Sequence, residues 1–424
     1  MKTSPAIMIA AATALLTGCF EPTEVRIEQK RDGEYQFAWD VLNAYLIFQD
    51  SLPGDPYVYA TPQALYASVN EPYTVYFDPE LAALFLSQLT TQSPRGAMGI
   101  RVDSVYNGYL VKKVYAGTPA DKSGLQKNDT ILAVDNQAIA GVALQRLSEY
   151  TSGDPGQIKE LSVKRGPQTI LLTITLEQIL LPSVWVDSLD SITAYVELGM
   201  FSDSTIIAGG SAAEFDSALS ETKWAKYTIF DLRDNPGGEL KQCIRITSEF
   251  LENNTPIVKS SERNLNSNGS AFITADTVWR SIGDGDAVTR TFMVLVNNNS
   301  ASAAEIVVSA LHSNRDDILT IGTTTFGKAR GQIAAGTPQD GIAKVTFSLI
   351  TPVSGPAYDE VGIEPKITIS PAEDALQVAL DQIHAGSGIA KKSILRYNKL
   401  VKRINAQRKM HRMKTRIPLL IKRI

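Results

Sequence analysis

Three short stretches of this chain carry residue types that do covalent chemistry when they meet. The first is Asn297-Asn298-Asn299-Ser300-Ala301-Ser302-Ala303-Ala304-Glu305, which follows the apolar run 292–296 and precedes a helix-forming segment. A serine at a strand-to-helix turn can present its hydroxyl beside the unpaired N–H groups of the helix start, and those donors suit a developing oxyanion. The same residues read equally as a plain helix N-cap. The second stretch, Thr323-Thr324-Thr325-Phe326-Gly327-Lys328, puts a lysine 26 residues after Ser302. Surroundings that bring a lysine pKa down from about 10.4 toward 7–8 make it a general base, and such a lysine can replace histidine beside a serine nucleophile. The plainer alternative is a solvated loop lysine. A phosphate-binding loop is excluded, because the second glycine and the Ser or Thr after the lysine are missing. The third stretch, Asp231-Leu232-Arg233-Asp234-Asn235-Pro236-Gly237-Gly238, ends an apolar run. Pro-Gly-Gly permits a tight turn whose amides approach a ligand closely, or serves only as a strand-to-helix connection.

The elements that must position these stretches alternate. Apolar runs at 192–198, 227–232 and 291–296 have the composition of buried strands, and helical patterns fit 208–219, 239–251 and 301–311. That alternation predicts an α/β domain. Upstream, 96–176 reads differently, as short strands at 100–105, 109–114, 130–134, 160–164 and 169–175 with short helices at 120–124 and 142–150. Before it, 35–50 and 79–88 are helical, and Pro72 and Pro79 punctuate the segment 71–80.

Each block alone is a weak signal. In this order and context, the chain resembles the C-terminal processing (tail-specific) peptidases, serine proteases that carry a PDZ domain. The resemblance rests on Pro236-Gly237-Gly238, on Ser300-Ala301-Ser302 with Glu305, and on Phe326-Gly327-Lys328. It extends from Tyr35 to Ile369, with Val361-Gly362-Ile363-Glu364-Pro365 as a closing motif. It implies Ser302 as nucleophile, Lys328 as base and Gln332 as the residue that orients the base. The amides of Ala303 and of Gly237 or Gly238 would form the oxyanion hole. Met98-Gly99-Ile100 would be the PDZ loop that captures a peptide carboxylate while the peptide adds as a strand. Core packing is the alternative role for Met98, Ile100 and Leu147. Ala304, Ala329 and a Ser302-to-Lys328 spacing one residue longer depart from the family pattern.

The fold implied is multidomain, α/β and α+β: a helical N-terminal segment, a PDZ domain and a crotonase-like ββα protease core. The expected divisions are 1–18 signal peptide, 19–94 tether and helical segment, 95–178 PDZ domain, 179–385 protease core and 386–424 basic tail. Lys2 followed by the apolar run 6–16 reads as a secretion signal, and Leu16-Thr17-Gly18-Cys19 as a lipobox in which Cys19 carries lipid. The alternative is a plain secretory signal with a chance cysteine. Cys243 is then left without a disulfide partner and reads as a small buried residue.

Net charge is −4, but thirteen Lys or Arg and no acid fall between Lys391 and Ile424; the rest holds 28 basic against 45 acidic residues. An acidic body argues against a nucleic-acid partner. The tail fits an amphipathic helix at an anionic membrane or a solvated extension. Three scattered histidines give no metal-ligand spacing, so no cofactor or metal is called for. The expected function is a Ser-Lys endopeptidase acting near protein C-termini in the bacterial cell envelope, lipid-anchored there. The alternatives are a catalytically silent lipoprotein that binds C-termini through its PDZ domain, and an unrelated lipoprotein scaffold.

Overall fold

The computed structural model describes residues 33–387, apart from 90–92, 94, 143–145, 267–268, 284 and 371. The signal segment, Cys19, His411 and the basic tail lie outside the described residues.

The expected α/β core is present. Six strands run in the order Ile367–Thr368, Leu319–Gly322, Thr291–Val296, Tyr227–Asp231, Thr193–Leu198 and Val184–Ser188. All neighbours are parallel except the last pair. Helices Gly210–Glu221, Leu240–Ser248 and Ala303–Asn314 cover one face, and helix Ala375–Ser387 covers the other. Burial on both faces is why the central strands are continuous apolar runs such as Phe292 to Val296. Phe215, Phe230, Phe250 and Phe292 form a ring cluster under the first face, with centroids 4.9–5.8 Å apart.

The module before the core is a separate sheet in the order Ile100–Val105, Gly108–Val114, Thr130–Val134, Ile158–Arg165 and Gln168–Thr175, around its own core. Its two helices are short, at Pro119–Lys122 and Leu147–Thr151. Arg101 reaches Glu221 on the α/β core at 2.7 Å.

A third sheet has no counterpart in the sequence pattern. The antiparallel strands Val75–Phe77, Ile342–Pro352, Pro256–Leu265 and Ala271–Arg280 pair in that order, with Arg330–Gly336 on the other flank of Ile342–Pro352. Helices Glu34–Tyr45 and Pro62–Ala67 pack on it. Phe37, Leu42 and Tyr66 thereby share one core with Ile333, Val345 and Phe347. The N-terminal segment is thus built into the far end of the chain, and the 71–80 stretch is a strand edge of that sheet as well as a turn. Strand Ile342–Pro352 alternates: Ala343, Val345 and Phe347 enter the shared core, while Lys344, Thr346 and Ser348 occupy the opposite face.

Phe230 packs between Phe215 and Phe250 in the ring cluster and is fully buried. Phe230→Ala should cost about 3–5 kcal/mol of folding stability, read as a lowered urea midpoint.

Candidate active site

The three loops singled out by residue type converge at the carboxyl ends of neighbouring parallel strands, Tyr227–Asp231, Thr291–Val296 and Leu319–Gly322. The lacing is specific. Ser300 Oγ donates to the Leu232 carbonyl at 2.8 Å, Ala301 N–H to the Asn235 carbonyl at 2.9 Å, and Phe326 N–H to the Ser300 carbonyl at 3.0 Å. Asn297 and Asn299 both donate to Asp234 Oδ1, at 3.0 and 2.8 Å. The Asn run is therefore a set of inter-loop ties.

Ser302 is the N-cap residue of helix Ala303–Asn314 and sits at φ 54°, ψ −115°, a backbone region that L-residues other than glycine rarely occupy. Strain of that kind persists only where the surroundings enforce it, and it clusters at functional turns. Gly237 explains part of the enforcement. A Cβ there would lie 2.7 Å from Ser302 Cβ and 2.9 Å from Ala303 N, so only glycine lets the Pro-Gly-Gly turn lie against the serine. The Gly237 N–H donates to Asn235 Oδ1 at 2.8 Å. Gly238 bridges Phe201 through the Gly237 carbonyl and the Glu239 N–H, which leaves its own N–H outside that bridge. Both positions demand glycine, since a Cβ at Gly238 would lie 1.9 Å from the Phe201 carbonyl oxygen, and they differ in their amides: that of Gly237 is taken by Asn235, while that of Gly238 lies outside the bridge.

The strongest constraint comes from Glu305, to which the sequence alone assigns no role of its own. Its side chain is fully buried and accepts four hydrogen bonds. Oε1 takes Thr325 Oγ1 at 2.6 Å and the Gly327 N–H at 2.6 Å. Oε2 takes the Ser302 N–H at 2.9 Å and the Lys328 N–H at 2.8 Å. Two nitrogens bonded to one oxygen can be no farther apart than the sum of those bonds, so the Ser302 and Lys328 backbones lie within 5.7 Å of each other. The longer spacing in sequence is absorbed without separating them. Burial pushes the Glu305 carboxyl above its ordinary range, while the four donors pull the other way and leave no lone pair for a proton. The signal for Glu305 was the Ser-x-x-Glu pattern that opens many helices.

Lys328 is half-buried, with Nζ 5.2 Å from the centre of the Tyr73 ring, and Arg330 lies over the same ring at 5.9 Å. Gln332 Nε2 donates to the Arg330 carbonyl at 3.0 Å and to Thr346 Oγ1 at 3.3 Å, so its amide is oriented by its own sheet. Thr346 Oγ1 in turn donates to buried Glu71 at 2.7 Å, which also receives Arg330 at 3.2 Å. These partners come from the third sheet and from the N-terminal segment.

Histidine chemistry is placed elsewhere. His312 bonds Thr320 at 2.8 Å and lies ten residues, about 15 Å, along the helix from Ser302. His384 faces Asp190 at 3.3 Å. Cys243 is buried behind the helix start, with Sγ on the Ala303 carbonyl at 3.2 Å. In the upstream module, Met98 is 2% exposed within the core and its carbonyl accepts the Ala120 N–H, while Gly99 (φ 80°) packs under Thr118 and Ile100 begins the first strand. Leu147 also packs in that core. Among the described residues no cluster of His, Cys, Asp or Glu is arranged to hold a metal ion.

Residues 192–369 match the model for peptidase family S41, and 96–176 match the PDZ domain model. The chain is 30% identical over 359 residues to a carboxyl-terminal-processing protease of Synechocystis, covering 79% of each chain. It belongs to the carboxyl-terminal-processing protease family. Against this family's carboxy-terminal processing protease CtpA of Bacillus subtilis it is 29% identical over 303 residues, 71% of this chain and 61% of that one. It spans 66% and 62% of two further family members. A solved family structure, the photosystem II D1 C-terminal processing protease, aligns over 80% of this chain and 92% of its own at 20% identity, TM-score 0.46.

Glu239, directly after the Gly237-Gly238 turn, has its pKa pushed up to about 8 by burial and by Asp203. A folded pKa above the unfolded value means the group favours the folded state below pH 4.5 and loses that contribution as pH rises through 8. Glu239→Gln should therefore flatten the stability profile over that window, gaining on the parent in urea midpoint as pH rises.

Proposed function

We propose that this chain is a serine endopeptidase with Ser302 as nucleophile and Lys328 as general base. The single observation that carries the reading is the Glu305 carboxylate, whose one oxygen ties the backbones of both residues. The neutral Lys328 amine takes the proton of Ser302 as Oγ attacks the scissile carbonyl. The Ala303 and Gly238 amides stabilise the oxyanion. Lys328 then passes its proton to the leaving amine, the peptide C–N bond breaks, and an acyl-enzyme remains. Water attacks that ester with Lys328 again as base, which releases a carboxylate product and restores the serine. Gln332 offers its amide oxygen to the Lys328 ammonium.

The substrates in this reading are unfolded protein C-termini gathered by the PDZ module, and the setting is the cell envelope. Support for the first is the family of the two domains; support for the second is the Leu16-Thr17-Gly18-Cys19 tetrapeptide. Cys19→Ser should abolish incorporation of labelled palmitate and shift the protein out of the membrane pellet. Retention of both label and pelleting would contradict the anchor.

Ser302→Ala and Lys328→Met should each reduce cleavage of an unfolded protein by about 10³-fold or more while leaving the melting temperature near that of the parent. Glu305→Gln should lower both activity and stability, because it turns an acceptor of four donors into a mixed group. Full cleavage by either dyad variant would overturn the assignment, and peptide capture without turnover by the parent chain would make it a binding protein instead.

A further inference from the structure

Lys344 is a lysine the proposed mechanism does not use. It sits in the middle of strand Ile342–Pro352, directly opposite Val75 on one side and Ala334 on the other, and is 4% exposed. On the same sheet face lie Phe77 and Ile342, with helix Pro79–Leu89 packed beside them. The ammonium meets the faces of Phe77 at 5.9 Å and Phe85 at 5.6 Å, and no carboxylate lies within ion-pair distance among the described residues. Nearby Glu71 is already committed to Arg330, Thr346 and the Tyr73 N–H. A buried cation without an anion is costly and is retained where something else supplies the charge.

The amine belongs to the wall of a cavity of 860 Å³, whose lining includes Val69, Val75, Phe77 and Leu81 and, from the catalytic loop, Phe326 and Gly327. The two carboxylates on the lining, Glu71 and Glu360, are both paired with Arg330, which leaves Lys344 as the charge facing a largely apolar space and matches a ligand with an apolar body and one negative end. Its volume exceeds the needs of an aspartate or glutamate side chain, whose apolar part is one or two methylenes. It suits a whole terminal residue.

We propose that this cavity is a second carboxylate-recognition site, in which Lys344 pairs with the free α-carboxylate of a peptide whose last side chain is apolar. The inference rests on the peptidase reading only in naming a peptide as ligand. It assigns to the protease body a terminus-binding role separate from the PDZ loop, and places that role beside the Phe326-Gly327-Lys328 loop. Lys344 here is a binding residue, with no part in proton transfer.

The charge balance gives the site a pH signature. Burial and the repulsion of Lys328 bring the empty amine down to about 7, against the attraction of Glu71. The other titratable groups lining the cavity are Tyr73, held neutral by burial up to about 12, Tyr66 and Tyr76, likewise raised by burial, and the carboxylates Glu71 and Glu360. A bound carboxylate holds the amine protonated. Binding therefore takes up a proton above pH 7 and weakens as pH rises toward 9.

The test uses full-length Ser302→Ala protein, so that turnover plays no part, with two fluorescent tetrapeptides ending in leucine, one a free acid and one amidated. The acid should bind more tightly, and Lys344→Met should weaken it roughly 10- to 100-fold while leaving the amide unchanged. The acid's affinity should fall between pH 7 and 9 with Lys344 present, a measurement that needs no substitution at the site and stands if Lys344→Met misfolds. Equal binding of the acid by Lys344→Met would overturn the proposal, as would a pH-independent acid affinity. Equally tight, Lys344-dependent binding of an amidated peptide with an internal glutamate would overturn the choice of the terminus. Cleavage by the parent chain is scored separately, so loss of either reading leaves the other intact.

Discussion

One buried carboxylate organises this molecule's reactive end. Glu305 lies in the first turn of the Ala303–Asn314 helix and reaches both backward to the Ser302 N–H and across to the 325–328 loop. A carboxylate in a dry interior is unfavourable unless its lone pairs are filled, and here four donors from two chain segments fill them. The converse holds for the loop: its amides would be unsatisfied without the carboxylate. Each side thus fixes the other. The helix start and the loop after strand Leu319–Gly322 become one rigid unit, and the strained backbone of Ser302 is held by it.

Around that unit the remaining constraints fall into place. Gly237 lets the Asp231–Gly238 loop close against Ser302, and Asn235, Asn297 and Asn299 lace the loops at their bases. On the far side, Glu71 ties Arg330 and Thr346, and through Thr346 the amide of Gln332. The N-terminal segment is therefore part of the site's outer wall. Its helices share a core with strand Ile342–Pro352, whose alternate face carries Lys344 and Thr346 toward Glu71, Gln332 and the cavity. One strand serves both stability and chemistry by its period of two.

How much of this was legible in the sequence follows from how local each signal is. The parallel strands read clearly because burial on both faces makes them unbroken apolar runs. The three loops read clearly because Ser-Ala-Ser, Pro-Gly-Gly and Phe-Gly-Lys are contiguous. Strand Pro256–Leu265 did not read at all: it carries Lys259, Glu262 and Arg263, and its pairing with Ala271–Arg280 is interrupted by register shifts. Nor did the contact of Glu71 with Arg330, separated by 259 residues, leave any local trace. Glu305 was readable as a helix-start pattern, but its grip on Thr325 and Lys328 exists only once two strand ends are side by side. Lys344 keeps the polar phase of its strand with Thr346 and Ser348, so nothing in the sequence singles it out, and only the cavity does.

The central claim is that Ser302 is activated by Lys328 within the unit that Glu305 holds together. The most direct measurement is labelling with a serine-directed fluorophosphonate, mapped by mass spectrometry in the parent chain and in Lys328→Met. The account predicts one adduct, on Ser302, and its loss in Lys328→Met. Labelling of a different residue, or undiminished labelling of Ser302 without the lysine, would contradict it.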